Sequence, residues 1–361
     1  MFEQAWHVGT FAKIPVKIHW TFLLILVYVA STSFSQGAGF DAIFIEICFV
    51  LAMFFCVVLH EFGHALTAQR YGIRTEDIIL LPIGGVARLR NMPEKPIQEL
   101  IIAVMGPMVN IIIAVLVFIS LLSLYGFPYF SMDNFQNLDF SNWKGFLPLL
   151  MISNIMLVVF NMIPAFPMDG GRVLRALLAM GFGRLKATRI ASIVGQIICV
   201  FLIIIGLYYE AYTLAIIGVF IFLNATQEYK SVALDSALKN KTIQDCYRKD
   251  FHSFTDYTTV RDAYEFIMHQ TNRHFMVINL YGQYCGTVSA KAIKAAYKLN
   301  PETRISEIYQ PKLLSLAAST SVAHALFALR GQTNLILVTE ADAVIGVLDQ
   351  ESVQQLLDME G

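Results

Sequence analysis

Charge is what this sequence has least of: Asp, Glu, Lys and Arg make up 15% of its 361 residues, against about 25% in soluble domains. With 56% of residues hydrophobic, that shortage excludes an ordinary soluble protein of this length and leaves a membrane protein with a soluble part attached. Basic excess is missing too. The formal net charge is −1, which gives no sign of the basic face that nucleic-acid binding needs, so no nucleic acid is expected as a partner. The five cysteines, Cys48, Cys56, Cys199, Cys246 and Cys285, are far apart and form no Cys-x-x-Cys pair. Neither a disulfide framework nor a thiolate zinc site follows from them. Met1 to Lys17 is mixed and polar, with no small-residue cleavage pattern after it, so the apolar run from Ile18 reads as a retained first span.

Long apolar runs are what the sequence does have. A helix needs about 20 apolar residues to cross hydrocarbon. Six runs approach that size, at 18–35, 42–68, 99–125, 145–163, 190–209 and, shorter, 211–224. Lys and Arg alternate between the connections. Lys13 and Lys17 precede the first run; Arg70, Arg74, Arg88, Arg90 and Lys95 follow the second; Arg172, Arg175, Arg184, Lys186 and Arg189 follow the fourth. The other connections, 36–41, 126–143 and the turn at Glu210, have none. By the positive-inside rule this predicts a multi-pass protein of the cell membrane with both termini cytoplasmic.

At the cytoplasmic end of the second run stands His60-Glu61-Phe62-Gly63-His64. Histidines four apart lie one above the other on a helix face and can point both imidazoles at a single ion, most simply zinc. Glu61 lies off that face and serves as a general base toward an attacking water. Ionisable groups at such depth are costly, which marks them as functional candidates. A third ligand has to come from elsewhere in the membrane half, whose other histidines are His7 and His19. Glu46 lies fourteen residues before His60, about 20 Å along a helix, and is too far. Asp169, in Asn161-Met162-Ile163-Pro164-Ala165-Phe166-Pro167-Met168-Asp169-Gly170-Gly171, is the better choice. The prolines break the span and the two glycines permit a bend, so Asp169 can be presented on irregular backbone lining a cavity. The same stretch also reads as a plain Pro/Gly loop with an Asp capping the next helix, and Glu94 and Glu99 remain alternatives for a gluzincin-type membrane protease.

Together these residues resemble the site-2 protease family of intramembrane zinc metalloproteases, and more closely its prokaryotic branch. His60, Glu61 and His64 fall on its HExxH. Asp169 falls on the Asp of its Asn-x-x-Pro…Asp-Gly motif, which the resemblance implies is the third zinc ligand. Asn161 then matches the Asn of that motif, implied to contact substrate or stabilise the oxyanion. Gly106-Pro107-Met108-Val109-Asn110 looks like the family's Gly-Pro-x-x-Asn, with Asn110 implied in positioning substrate. The resemblance covers residues 1 to about 226 and implies hydrolysis of single-span membrane proteins near the cytoplasmic leaflet. A catalytically silent protein that binds membrane helices is the other alternative.

Residues 78–89 are apolar, broken by Gly84-Gly85, and too short to span; they read as a re-entrant hairpin or as a loop packed on the cytoplasmic face. Family members carry β-strands here, and an exposed strand edge can pair with an unwound substrate. Beyond a linker at 227–238, composition turns soluble and repeats: Val260-Arg261-Asp262-Ala263 recurs as Val322-Ala323-His324-Ala325, 62 residues on. Copies at 239–300 and 301–361 look like a tandem pair of CBS (cystathionine-β-synthase type) domains. That resemblance implies dimerisation and a nucleotide cleft. The fold class expected is therefore a polytopic α-helical membrane domain of six helices with a re-entrant β-hairpin, followed by a soluble α/β CBS pair. His252, His269, His274 and His324 lack ligand spacing and read as surface or packing residues. The ribose-holding Asp of the CBS motif is replaced by Ala292 in one copy and Ser352 in the other. Ser289 and Asp349 hold the Thr positions, with Asp349 expected to repel a nucleotide. Calorimetric titration of residues 239–361 with ATP, ADP and AMP is expected to show weak or no binding; low-micromolar affinity would contradict the reading.

Overall fold

The computed structural model describes residues 5–82, 84–89, 93, 95–129, 138, 142–270, 272–331, 333–341 and 343–360. The chain divides into two units, Met1–Lys230 and Ser231–Gly361.

The first unit begins with a sheet. β1 (Ala5–Phe11) and β2 (Ile14–His19) form a hairpin whose turn residues, Ala12 and Lys13, both have positive φ, 50° and 65°. β2 pairs in parallel with β3 (Thr75–Leu81), and β3 pairs antiparallel with β4 (Gly84–Leu89), giving the order β1-β2-β3-β4. Ile14 and Val16 point inward while Pro15 and Lys17 are half-buried, the period-two alternation of a strand with one face on a core. The β3–β4 pair falls where the glycine-broken hairpin is expected, although Ile83 at its turn lies outside the described residues. The first span is corrected: Ile18 and His19 belong to β2, because their backbone is taken up by the sheet. The helix that follows, α1 (Phe22–Ser35), has 14 residues, about 21 Å against a hydrocarbon core of about 30 Å.

Among the described residues four helices are long and apolar enough to cross a membrane: α2 (Phe40–Arg70), α3 (Pro96–Tyr125), α4 (Trp143–Asn161) and α6 (Arg184–Tyr208). Between α4 and α6 lies the shorter α5 (Asp169–Phe182). The last apolar run does not stop at a linker, since α7 (Tyr212–Leu238) carries it through 227–238 as one helix. These helices are inverted relative to a soluble protein. Phe44, Phe55, Leu116, Phe201 and Ile204 face outward, while His60, Asn110, Asn154, Asp169 and Arg175 are buried.

The second unit holds two similar halves. Each has a strand, a helix, two further strands and a closing helix, running β5 (Ser253–Thr255), α8 (Val260–Met268), β6 (His274–Ile278), β7 (Tyr284–Ser289) and α9 (Ala290–Leu299) in the first half. The second half repeats them as β8 (Ser315–Ala317), α10 (Val322–Gly331), β9 (Leu335–Glu340), β10 (Ala343–Asp349) and α11 (Gln350–Glu360). Each half lends backbone to the other: Arg248 bridges to Val347 of β10, and Gln310 to Thr287 of β7. Asp349 is partnered within its own half and by Arg248. Its Oδ2 accepts from Arg248 Nη2 at 2.6 Å, and its Oδ1 accepts from Ser352 N at 2.8 Å, capping α11.

One ion cluster ties the sheet of the first unit together. Asp77 is buried; Lys17 Nζ on β2 donates to Oδ2 at 2.7 Å, and Arg88 Nε on β4 donates to Oδ1 at 2.6 Å. Burial pushes the Asp77 carboxyl up, but the bonds from Arg88 and Lys17 outweigh it and hold it below the usual range. Asp77→Asn is expected to lower stability by about 1–3 kcal/mol, reduced by the partial exposure of both cations. Thermal unfolding in detergent measures it.

Candidate metal centre

His60, Glu61 and His64 occupy the second half of α2, where α3 crosses at close range. A Cβ added at Gly63 would lie 2.5 Å from Met105 O, and one at Gly106 would lie 2.1 Å from His64 Nε2 and 2.8 Å from His60 Nε2. Any larger residue at Gly106 would occupy the space the imidazoles need. Asp169 arrives from the other side as the first residue of α5. Its glycines do not form the bend expected of them. They sit in the first turn of α5, where a Cβ at Gly170 would meet the carbonyls of Met162 and Ile163 at 2.4 Å, so their bareness lets that turn press against the 162–168 loop.

Three atoms converge. His60 Nε2 and His64 Nε2 are 3.1 Å apart, and Asp169 Oδ2 is 3.1 Å from the first and 3.2 Å from the second, all three side chains being buried. Ligand atoms at about 2.0–2.1 Å from a tetrahedral zinc are about 3.3 Å apart, so the spacing matches three corners of such a site.

Proton bookkeeping shows what belongs between them. Leu150 O, a backbone carbonyl, can only accept, and Asn154 Nδ2 donates to it at 2.8 Å. Asn154 Oδ1 then accepts from Asn110 Nδ2 at 2.7 Å, leaving Asn110 Oδ1 to accept from His60 Nδ1–H at 2.5 Å. His64 Nδ1–H likewise donates to Ile102 O at 2.7 Å. Both imidazoles donate from Nδ1, so in its neutral form each turns a bare Nε2 lone pair toward the Asp169 carboxylate. Three acceptors facing one another with no proton between them repel unless a cation sits among them, and histidines anchored through the far nitrogen are the usual arrangement at a metal.

The other expected residues are placed as follows. Glu61 stands beside the cluster, its Oε2 accepting from Ala87 N–H of β4 at 3.1 Å. Asn110, expected at the substrate, is fully buried with both ends of its amide engaged by His60 and Asn154. Asn161 closes α4 and is half-buried at the entrance to the 162–168 loop. Glu99 does not join the cluster; Arg175 Nε donates to its Oε1 at 2.6 Å, and Arg175 Nη1 reaches Glu228 at 2.5 Å. Glu94 lies outside the described residues. Asn154 escaped the sequence reading. Its signal was a lone amide in an apolar helix, seven residues or about two turns before Asn161.

Two histidines and an aspartate at one point, with a glutamate alongside, set among helices fit to cross a membrane, form a group that could hold a metal ion. Comparison with known proteins agrees. Peptidase family M50 matches residues 48–205, and a CBS domain matches residues 243–298. A zinc metalloprotease of Methanocaldococcus jannaschii is 36% identical over 64% of this chain and 62% of its own length, so the chain spans under two thirds of that relative. A zinc-metalloprotease homologue from Synechocystis is 26% identical over 97% of this chain and 94% of its own. The solved structure of a site-2 protease from Methanocaldococcus jannaschii is 35% identical, covering 62% of this chain and 95% of that one, with a TM-score of 0.46. Over residues 48–205 the chain is thus similar to peptidase family M50, and its relatives are zinc metalloproteases.

Asp169→Ala is expected to abolish stoichiometric zinc in the purified protein, and Glu99→Ala to retain it. Asn154→Ala and Asn110→Ala are expected to weaken zinc about 10- to 100-fold by releasing His60. Metal analysis after dialysis against a graded chelator series reads all four.

Proposed function

We propose that this protein is an intramembrane zinc endopeptidase that hydrolyses peptide bonds of single-span membrane proteins near the cytoplasmic leaflet. The observation that carries the reading is the buried convergence of His60, His64 and Asp169 with Glu61 beside it, inside apolar helices. Zinc held by those three supplies Lewis acidity, lowering the pKa of water and polarising a carbonyl. Glu61 takes the proton of the attacking water on its carboxylate and returns it to the leaving amine. Asn110 and Asn154 keep His60 turned toward the metal. Asn161 donates its amide to the oxyanion, a contribution of about 3–4 kcal/mol for a well-placed donor in a water-poor site.

Six spans, with both termini and the metal centre on the cytoplasmic side, agree with the alternation of Lys and Arg in the connections. On this topology the β3–β4 hairpin is re-entrant. A helical span keeps its carbonyls hydrogen-bonded, so the substrate has to unwind before cleavage, and helix-breaking residues favour it. The pair at 239–300 and 301–361 acts mainly structurally, in homodimerisation or in docking the substrate's cytoplasmic tail, with adenine nucleotide playing little part. Glu61→Gln is expected to hold zinc at the wild-type ratio while cleavage falls about 10²- to 10⁴-fold. Turnover near the wild-type rate in that variant contradicts the assignment of the base.

A further inference from the structure

The hydrogen bond between Ala87 N–H and Glu61 Oε2 places the proposed base on a strand edge. β4 is the outer strand of its sheet, bonded to β3 on one side. An N–H spent on a side chain of α2 points away from β3, and by the two-residue period of a strand Gly85 and Leu89 present their backbone the same way. Such an edge is a template for another strand. It runs directly along the HExxH turn: a Cβ at Gly85 would lie 2.7 Å from Glu61 Cγ and 3.1 Å from Val57 Cγ1, so only glycine lets the two approach this closely.

A strand that added to β4 would need the Ala87 N–H for one of its own carbonyls, and Glu61 already holds it. We infer that Glu61 and the substrate backbone compete for this one donor, an inference that rests on the reading of the site as a protease. With no extended chain present, Glu61 is latched to β4. An unwound substrate segment that pairs along Gly85, Ala87 and Leu89 displaces it and frees the carboxylate oxygen for the attacking water. A helical span cannot do this, because its carbonyls are already bonded within the helix. Release of the base is thereby coupled to substrate unwinding, and the many intact helices of the membrane leave the enzyme latched.

The competition is measured by binding rather than turnover. Full-length, zinc-loaded Glu61→Gln and Glu61→Ala proteins in nanodiscs are titrated with a fluorescent single-span Leu/Ala peptide carrying a central Gly-Pro break. The Gln amide oxygen still competes for Ala87 N–H; Ala does not. Glu61→Ala is expected to bind about fivefold more tightly, the weight of one hydrogen bond. In an Ala87→Pro background the difference is expected to vanish, since proline is tolerated on an outward-facing edge position and removes only that donor. Equal affinities, or a difference that persists in the Ala87→Pro background, overturn the competition. Amide exchange at Ala87 is a second readout that does not depend on the proline variant. It should be slow in Glu61→Gln, fast in Glu61→Ala, and slow again in Glu61→Ala once peptide is added; an Ala87 amide equally protected in both free variants overturns the latch. A wild-type protein that cleaves single-span substrates while failing these tests refutes the latch alone, whereas one that cleaves none refutes the protease reading.

Discussion

Three possible metal ligands pointing at one buried spot are the constraint on which the membrane unit depends. Two imidazole nitrogens and a carboxylate oxygen lie 3.1–3.2 Å apart on buried side chains, an arrangement that a divalent cation among them would stabilise. Each helix around the site can be read as serving that convergence. α2 brings both histidines on one face, α3 passes close because Gly63 and Gly106 are bare, and α4 contributes the asparagine that sets the proton on His60. α5 starts at Asp169, its first turn pressed against the loop that delivers it. Arg175 joins α3 to α7 through Glu99 and Glu228, and its guanidinium carbon lies 4.9 Å from the centre of the Phe166 ring within that loop.

Buried amides are expensive in apolar helices, and a half-satisfied one costs more than none. The chain from Leu150 O through Asn154 and Asn110 to His60 leaves no gap, and a single backbone carbonyl fixes its direction from end to end. That explains why two asparagines are retained at full burial on α3 and α4. Outside the helices the same economy holds at Asp77, whose carboxylate is shared by cations from β2 and β4 and so locks the strand that flanks Glu61.

Much of this was legible in the sequence, for physical reasons. His60, Glu61 and His64 are four residues apart at most, so helix geometry alone puts them together. Asp169 was readable because two prolines forbid the span from continuing and leave an acid at its mouth. Gly84-Gly85 marked a break at 78–89 that read as a hairpin or as a packed loop, and the repeat announced itself through its constant offset. What stayed hidden is non-local. β2 pairs with β3 some sixty residues later, so Met1 to Lys17 looked merely polar, and Ile18 looked like the start of a span. Arg175 reaches Glu99 across 76 residues, which no pattern reveals, and without that pair Glu99 stayed open as an alternative ligand. Asn110 was noticed, but that both ends of its amide are used up became visible only once Asn154 was opposite it.

The identity of the atoms around the metal is the most direct measurement of the central point. Zinc-edge X-ray absorption of the purified full-length protein should show nitrogen and oxygen neighbours at about 2.0–2.1 Å with two imidazole rings and no sulfur. A sulfur neighbour at about 2.3 Å, or protein that holds no stoichiometric zinc, would contradict a centre built from His60, His64 and Asp169.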